Sequence, residues 1–98
     1  MNKEFLVVFE KGKTSYGAFA PDIPGCFAVG PTLEETRSRF LGAVEAHLNW
    51  MASDHDPMPE PVTTAFDFSP EPGSERSSYY VEWVLIPVPV HAQHAVPA

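Results

Sequence analysis

The chain has 98 residues, 44% of them apolar, and 13 acidic against 6 basic side chains give a formal charge of −7. That composition describes one small folded domain, too rich in apolar residues for disorder, whose core buries about 60–65% of the surface exposed on unfolding. No apolar run approaches the roughly 20 residues of a bilayer span, Met1-Asn2-Lys3-Glu4 does not read as a signal peptide, and the single Cys26 excludes an intrachain disulfide, so a reducing cytoplasm is the expected setting.

Taken in chain order, Glu4 to Lys11 reads as a strand with Phe5, Val7 and Phe9 on one face and Leu6 and Val8 on the other. Two apolar faces predict a central strand, or one covered on both sides, for example by a second copy of the chain. Lys11-Gly12-Lys13-Thr14 supplies a hairpin turn, and Ser15 to Ala20 returns as the second strand. Pro21 and Pro24 fix two φ angles around Asp22 and Ile23, and Gly25 permits the reversal, so Pro21-Asp-Ile-Pro-Gly25 forms a rigid corner. Cys26 to Val29 is a short third strand, ended by Gly30-Pro31.

Thr32 followed by Glu35 is a capping box, with the hydroxyl on the Glu35 amide and the carboxylate reaching back. Leu33, Phe40, Leu41, Val44, Leu48 and Met51 recur at helical spacing and predict a helix from Leu33 to Ala52. Arg37 falls within this stripe, so its stem packs while its head reaches solvent. Ala43 and Trp50 lie at the stripe's edge. Three prolines in Pro57-Met-Pro-Glu-Pro61 prevent continuation. Val62 to Ser78 reads as a long loop, with a short edge strand over Thr63 to Phe68 as a weaker option. Tyr79 to Val88 is the last strand, with Tyr79, Val81, Trp83 and Leu85 on one face and Val84 and Ile86 on the other. His91 to Ala98 reads as a flexible tail after a domain spanning 1–90. The order is β-β-β-α-β, a two-layer α+β domain in which one long helix packs on an antiparallel sheet. Its last strand pairs with the first or sits at an edge.

Between Glu34 and Glu82 there are ten acidic residues against Arg37, Arg39 and Arg76. Such a surface repels phosphate backbones and suits a basic partner. The same excess also keeps a small domain in solution, so charge alone does not choose the partner.

The corner Pro21-Asp-Ile-Pro-Gly-Cys26, then Gly30-Pro-Thr-Leu-Glu-Glu35, resembles the signature of the HicB antitoxins, one half of a bacterial toxin–antitoxin pair. Arg37, Ala43-Val-Glu-Ala-His47-Leu and Pro57-Met-Pro-Glu-Pro61 extend the resemblance from Phe5 to Val62, and the last strand adds to it. It implies a β-β-β-α-β domain of degraded RNase H-like type, and a partner, HicA. That partner is a small basic toxin of double-stranded-RNA-binding fold that cleaves mRNA with a histidine. The antitoxin occludes its active face, and an acidic surface suits a face built for phosphates. Many HicB antitoxins also carry a C-terminal operator-binding domain. His91 to Ala98 has neither the length nor the basic residues to enter a groove, so the resemblance is to a short member without direct nucleic-acid binding.

A residual nuclease is the competing chemistry. It needs carboxylates converging on divalent metal ions, and the candidates are Glu10, Asp22, and Glu34 or Glu35. Asp22 between two prolines is more simply a turn former, and Glu35 is explained by capping. His47 and His55 are eight residues apart, which is not a ligand pair on adjacent turns, and read as packed or hydrogen-bonded. Cys26 reads as a small buried side chain. No cofactor is expected. Core packing is the first reading for any one of Tyr79, Tyr80, Trp83 and Trp50, but together they are more than so small a core readily encloses, and for the group an oligomeric or partner contact is an equal expectation. The expectation is a non-enzymatic, homodimeric antitoxin that contacts its toxin through Glu34, Glu45, Asp54, Asp56 and Trp50. A metal-dependent nuclease and an orphan interaction domain remain the alternatives.

Overall fold

A computed structural model describes residues 2–65 and 78–89. Its elements are β1 (Asn2–Lys11), β2 (Tyr16–Phe19), β3 (Phe27–Gly30), α1 (Leu33–Ser53) and β4 (Ser78–Pro87). The four strands form one antiparallel sheet in the order β3-β2-β1-β4. The last strand is therefore both a partner of the first and a sheet edge. The option of a strand at Thr63 to Phe68 does not hold for Thr63 to Ala65; Phe66 to Phe68, most of the loop to Ser78, and the tail from His91 lie outside the described residues.

Alternation along the strands sorts their side chains into two layers. Phe5, Val7, Phe9, Ala18, Ala28, Val84 and Ile86 face α1 and join Phe40, Val44 and Leu48 in one buried core. Leu33, Leu41 and Met51 pack at its margin, as their spacing predicts. Met58 also reaches this core from the segment beyond the helix, a contact that periodicity does not announce.

The helix begins as its sequence directs, although only half of the capping box forms. The Glu35 amide donates to Thr32 Oγ1 at 3.1 Å, whereas the Glu35 carboxylate accepts from Arg39 Nη2 at 3.4 Å instead of reaching back. Thr36, fully buried, lies within the apolar stripe. Its hydroxyl donates to the Thr32 carbonyl at 2.7 Å and so carries no unmet polar cost into the core. Gly30 ends β3 directly against this turn: a Cβ there would stand 2.7 Å from Thr36 Oγ1 and 3.0 Å from its amide nitrogen.

Proline exclusion is not the whole reason that the helix stops. Asp56 N–H donates to the Met51 carbonyl at 2.8 Å and His55 N–H to that of Ala52 at 3.1 Å, with His55 at φ 61°. This is a Schellman stop in which histidine occupies the left-handed position usually given to glycine. His55 is exposed, so of the two expectations for it, packed or hydrogen-bonded, the packed one does not hold.

Candidate partner-binding surfaces

The proline corner and the helix meet at one end of the sheet. Gly25 has φ 93°, and a Cβ on it would lie 3.7 Å from His47 Cε1, so His47 packs over the corner as a structural side chain. Ile23 is buried beneath, with its amide on the Ala20 carbonyl at 3.0 Å. Asp22 does more than shape its own turn. Its Oδ2 accepts the Thr63 amide and its Oδ1 the Thr63 hydroxyl, both at 2.7 Å. Lys3 Nζ donates to both oxygens of Glu60 at 2.7 and 2.8 Å. Together these bonds lash the segment after the helix to the start of β1 and to the corner. Pro21 and Pro24 hold the corner rigid; Asp22 holds the segment down.

At the other end Arg37 spans the two layers. Its Nε donates to Glu82 Oε2 at 3.0 Å and its Nη2 to Glu82 Oε1, and the guanidinium carbon sits 5.4 Å from the Phe9 ring centroid. The head is therefore tied to β4, which corrects the expectation that it simply reaches solvent. Arg39 caps the β3 side, with Nη1 on the Val29 carbonyl at 2.8 Å.

The positions expected to meet a partner are all exposed, but they do not form one cluster. Glu34 lies in the first turn of α1 and Asp54 and Asp56 beyond the last, about 30 Å apart along a helix of this length. At 100° per residue, Glu34 and Glu45 share one flank, and Trp50 lies on the opposite flank. Trp50 is 69% exposed, one turn before Asp54. The last turn of α1 has no basic residue, so Asp54 and Asp56 sit uncompensated at the negative end of the helix dipole. That placement does not stabilise the helix.

The carboxylates that a nuclease would need are spent on structure or kept apart. Asp22 is held by Thr63 and Glu35 faces Arg39. Glu10 is buried on the sheet face away from α1, where Gly17 makes room: a Cβ at Gly17 would lie 3.0 Å from Glu10 Oε1. Among the described residues no three His, Cys, Asp or Glu side chains are grouped to hold a metal ion, and no helix is long and apolar enough to cross a membrane. Cys26 is buried and free, and burial pushes its thiol above the ordinary range.

A second surface was only partly legible. The sheet face away from α1 carries the buried Leu6 and Val8 at its centre, with Phe27 and Val29 on one side and Val81, Trp83 and Leu85 on the other. Those last five side chains are between 38% and 56% exposed. A shallow depression of about 150 Å³ lies at the margin beside Glu10, Tyr16, Phe27 and Val29. The side chains of Tyr79 and Tyr80 lie outside the described residues.

Comparison with known proteins fits this architecture. A 14.9 kDa protein of the rep–hol intergenic region of Haemophilus phage HP1 (strain HP1c1) is 33% identical over 56 residues, covering 57% of this chain and 42% of the phage protein. A UPF0150 protein of Synechocystis is 33% identical over 57 residues, 57% of this chain and 72% of its own. The chain thus spans less than half of the phage relative's length. No solved structure is significantly similar. A family model described as the HicB-like antitoxin of bacterial toxin–antitoxin systems matches residues 5–95, and the chain belongs to that family.

Proposed function

We propose that this chain is a non-enzymatic, cytoplasmic antitoxin that binds a small basic toxin of the HicA type and masks its RNA-binding, mRNA-cleaving face. The family match over residues 5–95 carries the reading. The helix layer supports it. Glu34, Glu45, Asp54 and Asp56 are exposed carboxylates along α1 and its end, and Trp50 offers a large apolar anchor beside the last two. A toxin surface that attracts phosphates attracts these carboxylates as well, which speeds encounter and fixes orientation. An aromatic anchor within a charged rim is the usual composition of a tight contact. The chain acts in this reading as a homodimer of a domain related to RNase H-like folds, with catalysis absent.

The test is co-expression with the product of the neighbouring small open reading frame, which this reading expects to be a basic protein. Rescue of growth and co-purification are expected, and Asp54→Lys combined with Asp56→Lys is expected to weaken both. A chain that neither rescues growth nor co-purifies ends this reading.

A further inference from the structure

The helix accounts for one face of the sheet; the other is apolar where antiparallel sheets of this kind usually turn polar. Strand β1 buries Leu6 and Val8 there, and β4 presents Val81, Trp83 and Leu85 at alternate positions. Among the described residues the charged side chains on this face are Glu4 and Glu10, near the two ends of β1, so the centre is free of charge. We infer that this face is closed by the same face of a second copy, giving a four-layer α-β-β-α dimer with the two helices outermost.

Two observations select a second copy over a basic partner. The first is area. At their observed exposure, Phe27, Val29, Val81, Trp83 and Leu85 offer on the order of 450 Å² per copy, or about 900 Å² for the pair. That is close to the roughly 1,000 Å² below which specific interfaces are uncommon, before any rim residue is counted. The second is the segregation of charge. Of the exposed acids among the described residues, Glu34, Glu35, Glu45, Asp54 and Asp56 belong to the helix layer or its end and Glu60 to the segment beyond it, which leaves Glu4, near one end of β1, on this face. Two chains of charge −7 repel least when they meet through the faces that carry the fewest charges, and sheets packed about 10 Å apart then hold the acidic helix layers at opposite extremes of the assembly. A basic face made for phosphates finds little to pair with on five apolar side chains. The proposal rests on the dimeric part of the functional reading but not on the identity of the toxin. It implies that one dimer carries two outward helix layers and takes two toxin molecules.

Light scattering across a wide dilution series tests it on the purified full chain. A mass of twice the 10.8 kDa chain is expected at high concentration. Trp83→Glu and Leu85→Glu are expected to give monomers of unchanged helical circular dichroism, while Trp50→Glu on the helix leaves the dimer intact. Should the face variants unfold, a chain carrying Trp50→Phe reports from Trp83 alone, whose emission is expected to shift to the red as the dimer dissociates on dilution. A monomeric wild type, a dimer that survives both face variants, or Trp83 emission insensitive to dissociation overturns the proposal. So does loss of toxin binding by face variants that keep the dimer mass, a result that gives the face to the toxin and leaves the antitoxin reading standing. A dimer that binds no toxin has the reverse meaning.

Discussion

Asp22 and Thr63 are 41 residues apart and joined by two hydrogen bonds of 2.7 Å, one to the backbone amide and one to the hydroxyl. The proline corner is therefore a clasp as well as a turn. Asp22→Asn keeps one acceptor oxygen and opposes a donor with its new amide. It is expected to destabilise the domain by about 2 kcal/mol, the usual worth of a charge-assisted bond in a part-buried setting. Urea unfolding measures it, and a cycle with Thr63→Ala is expected to show strong coupling. A variant within a few tenths of wild type would mean that the clasp holds nothing.

Arg37 and Glu82 form the corresponding tie between α1 and β4. Both side chains are about one-third exposed, so solvent screening limits the coupling to about 1 kcal/mol. Arg37→Lys is expected to recover little of it, because a lysine cannot reproduce the two-pronged contact or the approach to the Phe9 ring. A double-mutant cycle in denaturant, repeated at high salt, reads this term directly.

Two glycines are expected to respond in opposite ways to alanine. Gly30→Ala drives a methyl group into the Thr36 backbone and hydroxyl and is expected to cost about 1–3 kcal/mol. An added Cβ at Gly42 meets nothing within 4 Å, so Gly42→Ala is expected to stabilise the helix by about 1 kcal/mol. If Gly42→Ala weakens toxin capture while raising the melting temperature, the crest of α1 lies within the contact.

His55 at φ 61° bears the steric cost of a left-handed residue with a side chain. His55→Gly is expected to stabilise by about 1 kcal/mol, seen as a higher denaturant midpoint. Unchanged stability would show that the stop relaxes without its left-handed residue.

The raised thiol of Cys26 links stability to pH in one direction only. The folded chain favours the protonated thiol, so the contribution is fully present below the unfolded thiol's value of about 8.5. It is lost as pH rises through the higher folded value. Cys26→Ala is expected to flatten the alkaline limb of a stability–pH curve while leaving the neutral region nearly unchanged.

Local pattern was enough for the five elements, because Phe40, Val44 and Leu48 mark a helix, and a short apolar run rich in valine and aromatics over residues 5–9, closed by a glycine turn, marks a strand. The proline corner and Thr32 were legible for the same reason: their chemistry is fixed within a few residues. Contacts such as Asp22 with Thr63, Arg37 with Glu82 and Lys3 with Glu60 span 41 to 57 residues and carry no periodic signature. Thr36 was hidden because a polar residue breaks the apolar count that reveals its neighbours. The acidic positions were visible as a compositional excess, but their separation along α1 needed the helix to be placed. The apolar second face of β1 could be read in Leu6 and Val8; its extension across β3 and β4 depended on strand order.

Strand β4 pairs with β1 through ten consecutive positions, from Asn2 opposite Pro87 to Lys11 opposite Ser78. The central strand thus receives one neighbour within the first hairpin and waits for the other until the ribosome has passed Pro87. During synthesis its bare flank is a sticky template, and proteolytic loss of residues 78–87 would restore that state in the finished molecule. Protection against a toxin then depends on a late-made strand, so an interrupted translation product carries the recognisable corner and helix without the finished platform beneath them.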